Sequence, residues 1–290
     1  MPTTYWQTSR FVIDLSQPKV MGIVNLTPDS FSDGGQFESQ SHALKHAALL
    51  LQQGADILDI GGESSRPGAQ PLSLEEELSR VIPFVREAVK WQVPLSIDTY
   101  KPEVMQAALE LGADIINDIW AMRQPGAWDV MAKFPSCGIC LMHMHRDPHT
   151  MQVQPMSGNV MAVVKDFLKH QLACASTYGI TKDRIVLDPG VGFGKTSDQN
   201  LAMLKHQSEF LSLGQPILAG WSRKSSLGKI VSMQGEEPLP SDRLGASLSA
   251  ALLAVQNGAA IVRVHDVKET VQALKVWQAV QANVSVESSQ

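Results

Sequence analysis

Short apolar runs alternate along the chain with longer stretches in which apolar residues return at helical spacing. The runs fall at 20–24, 57–60, 94–97, 115–116, 138–142, 185–187, 216–219 and 260–264. Several are apolar on consecutive positions and bounded by turn-forming residues, the pattern of a strand covered on both faces. Residues 44–51 repeat at helical spacing. The stretch 74–89 begins after Ser73 with Glu76, a capping-box pair. Pro102 opens another helix at the tolerated first-turn position, and Asp266 with Glu269 is placed to cap the last. Pro83, inside 74–89, is expected to kink or split that helix. Strand–helix alternation repeated eight times predicts an α/β fold, a parallel sheet closed into a (β/α)8 TIM barrel. A short alternating piece at 11–15, ahead of Pro18, predicts a small N-terminal strand or hairpin. The expected organisation is an extension at 1–19 packing on the barrel, the barrel at 20–283, and a frayed polar tail at 284–290.

A faint internal repeat sharpens this picture. Gly54-Ala-Asp-Ile-Leu-Asp59, Gly112-Ala-Asp-Ile-Ile-Asn117 and Gly258-Ala-Ala-Ile-Val-Arg263 share one layout. Each Gly suits the position that ends a helix. A polar residue follows at the same offset, hence in the same phase of a period-two strand, so Asp59, Asn117 and Arg263 should face one way. The layout alone is equally compatible with ordinary strand–helix packing. More telling, every apolar run ends in a polar residue: Asn25, Asp59, Asp98, Asn117, His143, Asp188, Ser222 and Arg263. Unpartnered polar groups are costly to bury. Placed at the C-terminal ends of strands they are expected to ring one mouth, with one or two serving instead as helix caps.

Composition narrows the chemistry. In 290 residues, 44% are apolar and 18% charged, with a formal charge of −5 and no basic run. Nucleic acid is therefore not an expected partner. No run reaches the ~18 apolar residues of a membrane span, and the N-terminus has no signal-peptide core. Three cysteines, Cys137, Cys140 and Cys174, make no disulfide framework, which suits a reducing cytoplasm.

Several motifs have a bland reading beside the functional one. Asp188-Pro-Gly-Val-Gly-Phe-Gly-Lys-Thr196 invites comparison with a phosphate-binding loop, but Pro189 stands where that motif needs Gly. Cys137-Gly-Ile-Cys140 lies at a strand start and reads as core. Met142-His143-Met144-His145 looks like a metal clip, yet strand alternation sends the histidines to one face and the methionines to the other. Arg66, Lys224, Arg263 and His265 lie in or near loops that follow strands, and clustered cations there suit a diphosphate. Asp98 and Asp188 suit a ligand presenting N–H donors. The residues alone thus point to a heterocycle bearing a phosphate or diphosphate, with surface ion pairing as the alternative for any one cation. No nucleophile–base constellation stands out, which favours positioning and charge stabilisation over covalent catalysis.

Asn25-Leu-Thr-Pro-Asp-Ser-Phe-Ser-Asp-Gly-Gly35, Gly61-Gly-Glu-Ser-Ser-Arg-Pro-Gly68, Ser96-Ile-Asp-Thr99, Ile116-Asn-Asp118, Leu141-Met-His-Met144, Leu187-Asp-Pro-Gly190, Gly192-Phe-Gly-Lys195, Ser222-Arg-Lys-Ser225 and Arg263-Val-His-Asp266, in order over about residues 20–280, resemble the dihydropteroate synthase family. The resemblance implies a (β/α)8 barrel in which p-aminobenzoate displaces diphosphate from 6-hydroxymethyl-7,8-dihydropterin diphosphate, giving dihydropteroate for folate synthesis. It implies that Asp98, Asn117, Asp188 and Lys224 hold the pterin, with Met142 and Phe193 against its faces. Asn25 would ligate Mg2+ and contact the diphosphate, which Ser65, Arg66, Arg263 and His265 also bind. Phe31, Ser65, Pro67, Ser222 and Lys224 would shape the p-aminobenzoate pocket. Asn25, Asp98, Lys224 and Arg263 would be catalytic, in a dissociative substitution where Asp98 supports the cation formed on the pterin. A homodimer and inhibition by sulfonamides, as p-aminobenzoate mimics, are implied as well.

The sequence departs from the family pattern at Ser65, where the family has Thr, and in the large Tyr100 and Trp120 beside Asp98 and Asn117. A corrinoid-linked methyltransferase with a similar pterin barrel would have no use for the diphosphate cations. A catalytically silent folate-binding barrel would not need Asn25, Arg66, Asp98 and Lys224 together.

Overall fold

The apolar runs become strands whose two faces are covered by different layers. A computed structural model describes residues 3–26, 36–64, 70–146, 151, 153–233 and 235–287. The barrel strands are β3 (Lys19–Asn25), β4 (Ile57–Gly61), β5 (Leu95–Asp98), β6 (Ile115–Asp118), β7 (Gly138–Met142), β8 (Ile185–Asp188), β9 (Ile217–Ala219) and β10 (Ala259–Val264). They pair in parallel and close in the order β10-β3-β4-β5-β6-β7-β8-β9. One phase of each strand faces the surrounding helices, as with Leu58 and Ile60, Leu95 and Ile97, Ile139 and Leu141, which join the large outer core. The other phase fills the interior with Met21, Ile57, Ile115, Cys140, Val186, Leu218 and Ile261. The predicted TIM barrel is therefore what the chain forms.

A two-stranded antiparallel hairpin, β1 (Tyr5–Gln7) and β2 (Val12–Asp14), precedes the barrel. Its Trp6 is fully buried against the interior layer, and the indole N–H donates to the Arg184 carbonyl at 2.9 Å, just before β8. Arg10 binds Asp114, just before β6, through Nε at 3.0 Å and Nη2 at 2.6 Å. The hairpin thus covers the N-terminal end of the barrel and leaves uncovered the C-terminal end, where barrel active sites generally sit.

Outside the barrel lie α1 (Gln36–Gln52), α2 (Leu74–Ala88), α3 (Pro102–Glu110), α4 (Ala127–Lys133), α5 (Val160–Thr177), α6 (Ser197–Lys205), α7 (Ser225–Ile230), α8 (Leu244–Gln256) and α9 (Val267–Glu287). The capping box at Ser73 and Glu76 forms, and Pro102 occupies the first turn of α3. Gly54, Gly112 and Gly258 take positive φ of 100°, 100° and 91° one residue past a helix cap, where a side chain would strain the backbone.

Three expectations need correction. Pro83 does not split α2, which runs unbroken through it; Val81, Phe84 and Val85 are buried on both sides of the proline, so packing holds the helix. The carboxylate of Asp266 is committed to Arg223, at 2.6 and 3.1 Å, instead of to a cap. The last helix continues through Glu287, into the expected tail, with no Gly or Pro there to stop it.

Candidate active site

The inward phase that supplies the apolar interior turns polar one layer nearer the C-terminal ends. Above Ile57, Ile115, Val186 and Ile261 stand Asp59, Asn117, Asp188 and Arg263, each two residues further along its strand. The common offset read from the repeat is realised as contact. Asn117 Nδ2 donates to both Asp59 oxygens at 3.4 and 3.2 Å, and Arg263 Nε donates to Asp59 Oδ2 at 2.6 Å. Arg263 Nη2 donates to Asp98 Oδ2 at 2.7 Å. One guanidinium therefore bridges two carboxylates from neighbouring strands. Burial opposes the Arg263 charge, but Asp59 and Asp98 outweigh it and drive its pKa up. Burial pushes the Asp98 carboxyl up to about 7 in spite of Arg263, with Asp59, Glu77 and Asp118 adding repulsion.

Asp188 and Lys224 form the other side. Asp188 Oδ1 accepts the Gly190 N–H at 2.7 Å, and burial raises its pKa. Lys224 Nζ sits 4.2 Å from the centre of the Phe193 ring. Burial lowers the Lys224 ammonium to about 8, with Asp188 opposing the fall and Arg263 and Asp98 also within electrostatic reach. Phe193 and Met142 belong to one apolar cluster with Ile119, Met144 and Met151, flanked by Tyr100 and Trp120. Half-buried Asn25 shares the inward phase of Met21 and lies level with Gly61, which in turn lies level with Asp98. Ser222 Oγ accepts the His265 backbone N–H at 3.1 Å and lies 2.9 Å from its Nδ1.

Asn25, Asp98, Asn117, Met142, Asp188, Phe193, Ser222, Lys224, Arg263 and His265 thus gather at the C-terminal ends of the strands. Phe31, Ser65, Arg66 and Pro67 lie outside the described residues. His143 does not join the ring. It continues the outward phase of β7, its imidazole packing edge-on against Phe167 of α5 at 5.0 Å, and burial lowers it to about 2. The alternation of histidines and methionines explains this, since Met142 and Met144 take the inner cluster.

The Gly-rich segment after β8 is not built around a phosphate. Lys195 Nζ donates to the carbonyls of Gly190, His143 and Phe193 at 2.7, 3.2 and 3.2 Å. A Cβ on Gly190 would lie 1.9 Å from the His143 oxygen, so only glycine allows that approach. Lys195 is a fastener between two loops that carry Met144 and Phe193. Arg223 likewise turns away from the mouth, at φ +60°, towards Asp266.

Sequence reasoning gave no role to a second cluster. Glu63 accepts the Tyr100 hydroxyl at 2.9 Å, the Lys101 ammonium at 2.5 Å and the Leu72 N–H at 3.1 Å, while Lys101 also binds buried Glu77. Tyr100 stacks on Trp120 at 5.0 Å. The bulk of these two aromatics, the one signal in the sequence, is explained by their packing on each other.

Carboxylates that can accept N–H donors, a lysine that can donate and the apolar Met142–Phe193 cluster share this mouth, the set of groups that a barrel binding a nitrogen-rich heterocycle would use. A family profile described as pterin binding enzyme matches residues 21–265. The chain is 49% identical over 284 residues to the dihydropteroate synthase of Neisseria meningitidis serogroup B, covering 96% of this chain and 98% of that one. It superposes with a TM-score of 0.89 on Burkholderia cenocepacia dihydropteroate synthase complexed with 7,8-dihydropteroate, at 47% identity over 98% of this chain and 99% of that one. The same score relates it to the Xanthomonas albilineans dihydropteroate synthase with 4-aminobenzoic acid, at 47% identity, 96% and 99% coverage. The chain belongs to the pterin-binding enzyme family.

Proposed function

We propose that this chain catalyses the dihydropteroate synthase reaction: p-aminobenzoate displaces diphosphate from 6-hydroxymethyl-7,8-dihydropterin diphosphate, an alkyl transfer to an aromatic amine in folate synthesis. The observation that carries the reading is the single rim that gathers Asp98, Asn117, Asp188 and Lys224 at the strand ends, with Lys224 against Phe193 and Arg263 hydrogen-bonded to both Asp59 and Asp98. Near-complete coverage of relatives bearing that activity supports it.

The hydrogen bonds already made select the atoms left for substrate. Asn117 spends its Nδ2 on Asp59, so its oxygen accepts from the ring. Asp188 spends Oδ1 on Gly190 and offers Oδ2. Lys224 donates to the ring oxygen. Arg263 uses Nε and Nη2 within the site, leaving Nη1 for the departing anion beside His265. Among the described residues no cluster of three or more His, Cys, Asp or Glu could cage a metal, and the neutral oxygen of Asn25 suits an ion that keeps water and substrate oxygens as its other ligands. A Mg2+ held through Asn25 would neutralise charge on the leaving diphosphate.

In the dissociative reading, the C–O bond to diphosphate breaks first and Asp98 supports the pterin cation electrostatically. The neutral aniline nitrogen then attacks and loses its proton to solvent, so no strong base is required. Ser222 and Lys224 border the p-aminobenzoate site, where sulfonamides compete. Homodimerisation and a cytoplasmic setting belong to the same reading, the former checked by light scattering on the purified chain.

The test is direct. Mixed with the pterin diphosphate, p-aminobenzoate and Mg2+, the protein is expected to release one diphosphate per dihydropteroate formed. Absence of dihydropteroate, with the pterin diphosphate bound and intact, would overturn the reading. Asp98→Asn is expected to retain pterin binding and to lose ~10²-fold or more in kcat; an unchanged kcat would remove the cation-stabilising role.

A further inference from the structure

We infer that Asp59 is a positioning residue for the reaction, fixing Arg263 and Asn117 together so that both present their remaining polar atoms to the mouth. This inference rests on the proposed reaction. Asp59 is completely buried and lies level with Ser96 on the neighbouring strand, while Asp98 lies level with Gly61, two residues nearer the rim. A ligand at the rim therefore meets Asp59 only through its partners. Those partners are two residues assigned to substrate: the Arg263 Nε at 2.6 Å and the Asn117 Nδ2 at 3.2 and 3.4 Å.

A buried ion pair alone is weak evidence of purpose, because apolar packing often replaces one without loss. Here the pair does something packing cannot. It settles which way the Asn117 amide faces, and it holds the guanidinium so that Nη2 reaches Asp98 while Nη1 is left over. Without the Asp59 charge, Arg263 keeps Asp98 as its hydrogen-bonded carboxylate, with Asp188 also in electrostatic reach. Asp98 is faced by Arg263 from β10, Asp59 from β4, Glu77 from α2 and Asp118 from β6, with Lys224 also in reach. Removing Asp59 takes away one repelling charge and frees Arg263 to bind Asp98 more fully. Both changes favour the ionised carboxylate.

The experiment is Asp59→Asn in the full chain, with Arg263→Gln and the double variant alongside. Asp59→Asn is expected to lower kcat by ~10–100-fold, the scale known for the outer hydrogen-bond partners of metal-ligating residues, with KM for p-aminobenzoate changed far less. The double variant should lose little beyond Arg263→Gln alone, since the two act as one unit. In ligand-free protein, 13C-carboxyl NMR should show Asp98 titrating ~1 pH unit lower in Asp59→Asn than in the wild type. A wild-type kcat, losses that multiply in the double variant, or an unmoved Asp98 titration would overturn the inference. If Asp59→Asn does not fold, Asp59→Ser, smaller and still polar, supplies the same readouts. If the wild type makes no dihydropteroate, the proposed reaction fails, and the ligand-free titration still decides whether Asp59 governs Asp98.

Discussion

At the scale of single residues, burial acts on Asp98 and Lys224 from opposite sides and brings their titrations close together. In the proposed reaction Asp98 acts ionised and Lys224 acts protonated. Asp98 gains its charge as pH rises through about 7, and Lys224 loses its proton as pH passes about 8. The kcat/KM for pterin diphosphate is therefore expected to climb through the first value and fall beyond the second, a narrow bell for the free enzyme. A profile flat from about pH 6 to 9 would mean that neither protonation state matters to the reaction of the free enzyme. Stability runs the other way. The Asp98 pKa is raised above its ordinary 3.8, so its proton favours the folded state below that pH, and the contribution fades as pH rises through about 7. Urea denaturation of Asp98→Asn, which cannot ionise there, should lose this part of the pH dependence.

At the scale of elements, the segment after β8 shows how a loop can look like a ligand cradle and be a fastener. Lys195 ties three carbonyls from two loops, and burial lowers its ammonium to about 7. Lys195→Met should reduce the unfolding free energy by ~3 kcal/mol, because buried carbonyls lose charged donors worth about 1.5–3 kcal/mol each and some refill with water. It should also weaken pterin binding through Phe193, and calorimetric titration with a pterin checks this; unchanged stability would deny the fastening role. The strands and capping box were legible because both are local: apolar runs, and a Ser three residues before a Glu. The Asp59, Asn117 and Arg263 constellation was legible because a common offset from glycine fixes strand phase. What the sequence could not disclose depends on neighbours distant in the chain. His143 faces Phe167 because β7 keeps its phase to the end, Asp266 is taken by Arg223, and buried flanks carry α2 through Pro83.

At the scale of the whole molecule, the two ends of the barrel do different work. The hairpin with Trp6 closes the N-terminal end over apolar side chains, while the C-terminal end gathers the acids and cations. Trp6→Ala should cost ~3–5 kcal/mol of stability, as for large core aromatics generally. Well below the unfolding transition its kcat and KM should match the wild type, since the site lies at the other end; altered kinetics there would mean that the two ends are coupled. The most direct measurement is a crystal structure of the chain with an unreactive pterin diphosphate analogue and Mg2+. The ring is expected between Met142 and Phe193, its N–H groups on Asp98, Asn117 and Asp188, its oxygen on Lys224, and its anion towards Arg263 and His265. A ring bound anywhere other than this rim, or one turned so that its anion points away from Arg263, would contradict the proposed reaction.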